Sequence, residues 1–392
     1  MIAAQILHVD IAGPLETLQV AEVECLIVFW WKDYPVGQLR QSGDPGRSIA
    51  IMPLVKISVD TEVLRVAQQA VEREESQTVP DGLVVSVVIC TRDRPRELAR
   101  CLASLPNQTR VPDQVIVVDN ASSDDRTHEV AVNAEAIYVR EDRPGLDFAR
   151  NAGVRTASGH IIVYTDDDVQ LHPRWLERMV HAFDDERVMA VTGLVLPAEL
   201  ETEAQMFFEE RWPFGRGYRP IVFDRDFFKL DRTVGCPVWE IGAGASMAFR
   251  RAIFDRVGLF DERLDVGQAG CSGDSEYWHR VLTHGWQCRY EPGAVVFHHH
   301  RREMEGLGKQ IFFYMRGHVV ALLVQFERSK NFGNLRRAFI TMPWSYLRRL
   351  VAREFGAVRK EKNRLLMQEI GGYCSGLKFY FLPPRGKKRV EE

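Results

Sequence analysis

His160-Ile161-Ile162-Val163-Tyr164-Thr165-Asp166-Asp167-Asp168-Val169 is the stretch on which the reading of this chain turns. Its first half is short, apolar, β-branched and aromatic, which is the pattern of a strand buried on both faces. Three carboxylates follow at once. Adjacent negative charges at the edge of a core repel one another, and a cation is the usual remedy. Side chains alternate along a strand, so Asp166 and Asp168 are expected to point the same way, about 6.5 Å apart. A hard divalent ion with oxygen ligands at about 2.1 Å fits between such a pair and leaves room for phosphates. The competing reading is a solvated acidic turn or a helix N-cap, because Pro173-Arg174-Trp175 opens a helical pattern soon after.

Outward from this stretch the chain alternates regularly. Strands are expected at Val84 to Cys90, Gln114 to Val118 and Ala136 to Val139. Helices are expected at Pro95 to Leu105, Thr127 to Asn133 and Leu146 to Ala157. Strands alternating with short helices make an α/β fold, here Rossmann-like, with a mostly parallel sheet flanked by helices. Ligands in such sheets bind beyond the carboxyl ends of the strands. Three of these ends are unusually polar: Thr91-Arg92-Asp93-Arg94, Asp119-Asn120 and Asp166-Asp167-Asp168. Thr91, Arg92 and Arg94 open a helix, where backbone amides and guanidinium groups favour an anion such as phosphate. Asp119 could accept hydrogen bonds from a base edge or a ribose, or cap the following turn, as Ser122 or Ser123 could. Arg150 could face a diphosphate or pair with Asp147.

Further along, Gly242-Ala243-Gly244-Ala245 lacks the third glycine and the preceding strand of a dinucleotide loop. It reads as a close-approach backbone leading into a strand. Trp239 and Glu240 just before it could contact a sugar, or serve as packing and surface charge. Ser272 or Asp274 could begin a helix that runs to His284, with acids in its first turn as ordinary dipole complements. In Phe297-His298-His299-His300, a strand would set His298 and His300 on one face. Imidazole can complete a divalent site with two carboxylates.

Four of these segments in order carry a resemblance. Val85-Ser86-Val87-Val88-Ile89-Cys90-Thr91-Arg92, Val117-Val118-Asp119-Asn120, Arg150-Asn151-Ala152-Gly153 and Thr165-Asp166-Asp167-Asp168 resemble family 2 glycosyltransferases of the GT-A fold, across roughly residues 84–300. The resemblance implies inverting transfer from a nucleotide-diphospho-sugar donor to a saccharide or lipid-linked saccharide acceptor, as in cell-surface polysaccharide assembly, with Mn2+ or Mg2+ as cofactor. By this resemblance Thr91, Arg92, Arg94, Asp119, Arg150, Asp166 and Asp167 lie on the nucleotide side. Asp166, Asp168 and His298 would hold the metal. Gly244, Trp239, Glu240 and Glu276 would lie on the sugar and acceptor side. Asp274 would be the catalytic base, with Glu276 as the alternative. The chain departs from the family's motif at Gly273, where glutamate is frequent. A sugar nucleotidyltransferase would use a similar sheet, but Thr91-Arg92-Asp93-Arg94-Pro95 has no glycine to cradle a triphosphate. A non-catalytic nucleotide-sugar-binding protein is the third alternative.

The flanks are less informative. Residues 1–80 are expected to form a small α+β unit of unassigned role, with a hairpin from Val23 to Trp31 and Val36 to Arg40, a loop from Gln41 to Arg47, a helix from Thr61 to Glu75, and a linker from Glu72 to Gly82. Residues 81–303 make the GT-A domain, and 304–392 a helical, basic extension. Net charge is −3, yet residues 328–392 hold about 16 Lys and Arg against 5 Asp and Glu. Such asymmetry points to anionic material, or to nothing more than a solvated helical tail. Under the glycosyltransferase reading nucleic acid is not expected, and the basic segments around Arg336-Arg337, Arg348-Arg349 and Arg359-Lys360 either touch a membrane surface or cap the catalytic domain. No apolar run reaches the roughly 20 residues of a membrane span. The start lacks a basic n-region, and the seven scattered cysteines form no CxxC pair. A cytoplasmic protein with reduced thiols is the expectation, possible membrane contact being peripheral.

Overall fold

The computed structural model describes residues 3–14, 17–20, 22–43, 45–46, 48–76, 82–230, 233–352 and 357–382. Among them the central sheet has nine strands. Its order is Val169–Leu171, Gln287–His298, Val188–Pro197, Ser246–Arg250, Ile161–Asp166, Val85–Thr91, Gln114–Asn120 and Ile137–Glu141, with Ile221–Phe223 pairing Gln287–His298 off this path. Val85–Thr91 runs parallel to Gln114–Asn120 and to Ile161–Asp166. Val188–Pro197 runs parallel to Gln287–His298. Between these two blocks Ser246–Arg250 is antiparallel to both neighbours. That reversal matters for the site. Ser246 opposes Thr165, so the chain entering this strand arrives where the parallel strands end.

The inner strands are apolar along their whole length because helices cover both faces. Val87, Val88, Ile89, Ile162 and Val163 are fully buried. The expected strand and helix alternation is present, with Gln114–Asn120 extending through Asp119 and Asn120. One local expectation changes. Asp167 and Asp168 lie in a turn between Ile161–Asp166 and the edge strand Val169–Leu171, rather than continuing a strand. The chain must cross there to pair with Gln287–His298, Val169 opposing His298.

At the N-terminus the hairpin Glu24–Trp31 and Tyr34–Ser42 forms as expected, and the helix runs Thr61–Ser76. Four elements here have no counterpart in the sequence reading, the paired strands Thr17–Gln19 and Ser48–Ala50 among them. Ala4–Asp10 adds a parallel strand to Glu24–Trp31, and Ile51–Ser58 is a short helix. Part of the expected 41–47 loop is strand, and Ser48–Ala50 pairs with Thr17–Gln19. Of the expected linker, residues 77–81 lie outside the described residues. This N-terminal part is fastened to the sheet by Arg178. Its guanidinium pairs with Asp33 at 2.7 Å and with Glu74 at 2.7 Å, and Tyr34 donates to Glu291 at 2.6 Å.

The C-terminal extension is helical, mainly Met304–Ser329, Met342–Val351 and Ala357–Phe381. Side chains of the 359–360 pair lie outside the described residues. The two long helices touch backbone to backbone. A Cβ on Gly372 would lie 2.1 Å from the Phe312 carbonyl, and one on Gly376 would lie 2.6 Å from that of Arg316. Only glycine permits so close a crossing. Among the described residues no helix is long and apolar enough to cross a membrane.

Candidate active site

The polar strand ends meet at one edge of the sheet. Asp166, Asp168 and His298 each offer a ligand atom, all within 4.8 Å of one another. His298 Nε2 is 3.3 Å from Asp168 Oδ1. Burial pushes the Asp166 carboxyl up to about 7, with the charge of Asp168 adding to it. Burial acts on Asp168 in the same sense, but His298 and Arg94 outweigh it and hold its carboxyl below the usual range. The reciprocal effect lets Asp168 raise the His298 imidazole against burial. Two carboxylates and an imidazole at this spacing fit a hard divalent ion, which would favour the charged form of Asp166 that burial disfavours.

Asp167 turns the other way. It accepts from Thr91 Oγ1 at 2.7 Å and from Arg94 at 3.0 Å, while Arg94 also reaches Asp168 at 2.9 Å. Thr91 and Arg94 therefore brace the acidic turn in this structure. Asp119 is buried and fully engaged, accepting from Ser122 N, Tyr138 and Arg140 at 2.8–3.0 Å. It caps its turn, one of the two roles weighed for it. Arg92 is half exposed, 3.5 Å from Asp93.

A cavity of about 750 Å³ opens against Asp166. Arg150, Gly244, Asp265 and Asp274 share its wall, as do Trp239 and Glu240. Arg150 is buried and pairs with Asp147 at 2.9 Å and Asp265 at 2.6 Å. A Cβ on Gly244 would lie 2.8 Å from the Arg150 guanidinium and 3.0 Å from Asp274 Oδ2. The close-approach backbone expected at Gly242 to Ala245 thus presses directly on these two groups. Asp274 lies in the first turn of the helix Gly273–Thr283, behind Ser272 in a left-handed conformation. Burial and then Asp265 raise its carboxyl, and Arg150 opposes them.

Glu276 is elsewhere. It is fully buried, paired with Arg280 at 3.0 Å and Arg328 at 3.2 Å, and it is not among the residues that line the cavity. On a helix, two residues along is more than half a turn away, so Glu276 points into the core while Asp274 faces the cavity. The expected acceptor contact and alternative base at Glu276 therefore have no support in this geometry.

A model of glycosyl transferase family 2 matches residues 86–258. Glycosyltransferase AglE of Haloferax volcanii is 33% identical over 234 residues, covering 58% of this chain and 70% of AglE. The chain belongs to glycosyltransferase family 2. The glucosyl-dolichyl phosphate glucuronosyltransferase of the same organism is 27% identical over 194 residues, 47% of this chain and 58% of that protein. Mannosyltransferase PcManGT of Pyrobaculum calidifontis, solved with GDP-Man and Mn2+, shares the fold at a TM-score of 0.50 and 16% identity, covering 81% of this chain and 95% of that one. The sheet is that of a GT-A glycosyltransferase.

Two carboxylates of this glycosyltransferase escaped the sequence reading as site residues. Asp265 follows no recognisable motif, and its positive φ of 62° reflects a tight turn. Asp147 was weighed only as a partner for Arg150. It explains the departure at Gly273: a Cβ there would fall 2.1 Å from Asp147 Oδ2. A carboxylate from the helix Leu146–Thr156 fills the space that a side chain at 273 would need. Behind His298, His300 Nδ1 lies 3.1 Å from His298 Nδ1, and His300 Nε2 lies 3.3 Å from Glu209. The expected common face of His298 and His300 is present, with His299 less buried than either.

Proposed function

We propose that this glycosyltransferase moves a sugar, with inversion, from a nucleotide-diphospho-sugar to a hydroxyl of a saccharide or lipid-linked saccharide, in cell-surface glycan assembly. The observation that carries this reading is that Asp274 shares one cavity with Asp166, the member of the Asp166, Asp168 and His298 cluster that lines it. The acceptor oxygen bonds to the anomeric carbon as the bond from that carbon to the diphosphate oxygen breaks. The hydroxyl proton passes to the Asp274 carboxylate, and the nucleoside diphosphate leaves. Burial and Asp265 raise the proton affinity of Asp274, which favours a base, while Arg150 keeps it able to ionise. A bound Mn2+ or Mg2+, held by Asp166, Asp168 and His298, supplies Lewis-acid stabilisation of charge on the departing diphosphate. Arg150 neutralises part of the acid cluster around Asp274 through its pairs with Asp147 and Asp265. The lipid-linked acceptor draws support from one relative, the glucosyl-dolichyl phosphate glucuronosyltransferase of Haloferax volcanii.

The test is a thermal-shift panel of nucleotide sugars with and without each metal, followed by detection of released nucleoside diphosphate. A true donor at about 100 times its Kd stabilises the fold by about 2.7 kcal/mol. Asp168→Ala is expected to remove the metal-dependent part of that gain and to abolish transfer. A variant that keeps the metal-dependent gain refutes the ligand assignment.

A further inference from the structure

One wall of the cavity is made by the C-terminal extension, and that wall has a second face. Phe332–Arg336 is helical, Arg337–Thr341 winds as a wider π turn, and Met342–Val351 continues the helix. Pro343 has no N–H to donate, and the wider turn before it accommodates the ring. Arg337, Thr341, Met342, Ser345, Tyr346 and Arg349 line the cavity. The opposite side is apolar and open to solvent: Phe332 is 73% exposed, Ile340 61%, Trp344 60% and Val351 79%, with Phe339 and Leu347 beside them. Isolated exposed apolar side chains are ordinary, whereas six on one helical segment are a patch. The patch continues across the neighbouring helix, where the Phe339 and Phe381 rings are 6.4 Å apart and Leu382 is 70% exposed.

Charge narrows the occupant. Residues 330–351 contain Lys330, Arg336, Arg337, Arg348 and Arg349 and no acidic residue. Arg337 stacks on the Trp239 ring at 4.0 Å, and Arg349, itself exposed, is held by the buried Glu369. Arg336 and Arg348 stay exposed beside the apolar side chains. A second copy of this chain would bring like charges together. An anionic bilayer offers apolar depth under a negative surface, and a helix with Trp, Phe and Leu flanked by arginine is suited to lie in that plane.

We propose that the outer face of residues 332–351 docks in the headgroup layer of an anionic membrane, and that the inner face of the same segment receives the headgroup of a lipid-linked acceptor from that layer. The second half rests on the lipid-linked acceptor of the proposed function. A helix with its side chains is about 10 Å across, so one helix width separates the lipid surface from the cavity.

The full chain is floated with phosphatidylcholine vesicles containing about 30% phosphatidylglycerol, and with phosphatidylcholine alone. The Ile340→Ser, Trp344→Ser, Leu347→Ser triple variant is compared with an Arg336→Gln, Arg348→Gln variant, and metal-dependent nucleotide binding checks that each is folded. Flotation of the native chain with anionic vesicles is expected, weaker when salt cuts the Debye length from about 10 Å to about 3 Å. The apolar variant is expected to bind at least about ten-fold less, and the arginine variant to lose its preference for anionic vesicles. A native chain that does not float, or a folded apolar variant that floats equally well, overturns the docking. So does a dimer that the apolar variant dissolves without any vesicle binding. Transfer is then assayed to a polyprenyl-phosphate-linked sugar and to a free saccharide. Flotation combined with transfer to the free saccharide alone overturns the delivery half and leaves the docking half supported.

Discussion

Asp274 and Glu276 stand two residues apart, and their surroundings predict opposite outcomes when each loses its charge. Glu276 is buried against Arg280, whose side chain is 4% exposed. Glu276→Gln leaves that guanidinium without its counter-charge. Breaking a buried pair from one side costs about 3–5 kcal/mol. The lower end applies here, because burial already raises the Glu276 carboxyl, an amide oxygen still accepts one hydrogen bond, and Arg280 also stacks on Tyr277 at 4.5 Å. At about 2 °C per kcal/mol for a chain of this size, about 3 kcal/mol becomes a fall of about 6 °C in Tm. Turnover at a temperature where the variant is folded changes little, because Glu276 does not reach the cavity. Asp274→Asn should do the reverse. Burial and Asp265 already disfavour its charge, so removing it leaves Tm unchanged or higher. Without the base, transfer falls by about 10²–10⁴. Nucleoside diphosphate release and thermal unfolding, measured on both variants, give the comparison. An Asp274→Asn protein that still turns over at near the native rate refutes the base assignment. A Glu276→Gln protein that is inactive at native Tm refutes the placing of Glu276 in the core.

Two further predictions concern the N-terminal part. Arg178→Met removes one of two cations shared by Asp33 and Glu74, Arg174 being the other, and should destabilise by about 3 kcal/mol, read by denaturant unfolding; early proteolysis near residues 60–76 would locate the loss. His172 stacks on Trp30 at 5.4 Å, and burial, then Arg178, lower its pKa from 6.5 to about 4. The unfolded chain binds this proton first as pH falls, so the contribution of His172 is complete above about pH 6.5 and is lost on the way down to about pH 4. The loss amounts to about 3 kcal/mol. His172→Phe should flatten that limb of a Tm against pH plot, and an unchanged slope would refute the assignment.

Local pattern made most of the catalytic domain legible. Apolar runs bounded by polar clusters marked Val85–Thr91, Gln114–Asn120 and Ile161–Asp166, and the residues at their ends are the ones that gather at the sheet edge. Long-range pairing was not legible. Ala4–Asp10 reads as an unremarkable opening segment, and only its parallel partner Glu24–Trp31 makes it a strand. The direction of each carboxylate was equally hidden. Nothing in the spelling of Gly273-Asp274-Ser275-Glu276 says which acid faces the cavity, because that depends on where Arg280 and Arg328 lie. The extension could be read as a cap or as a membrane surface because its sequence does not say which side packs inward; Met342 and Tyr346 line the cavity, while Ile340 and Trp344 are exposed.

The contact between Gly273 and Asp147 links two positions that are 126 apart in number. A side chain at 273 and a carboxylate at 147 claim the same volume, since even a Cβ would come within 2.1 Å of Asp147 Oδ2. A relative with a glutamate at the position of Gly273 must therefore carry something shorter, or differently turned, at the position of Asp147. The two sites form a mutually exclusive pair, so a single substitution at either one meets a clash or leaves a hole. A chain that gains a side chain at 273 therefore has to shorten or re-turn the one at 147.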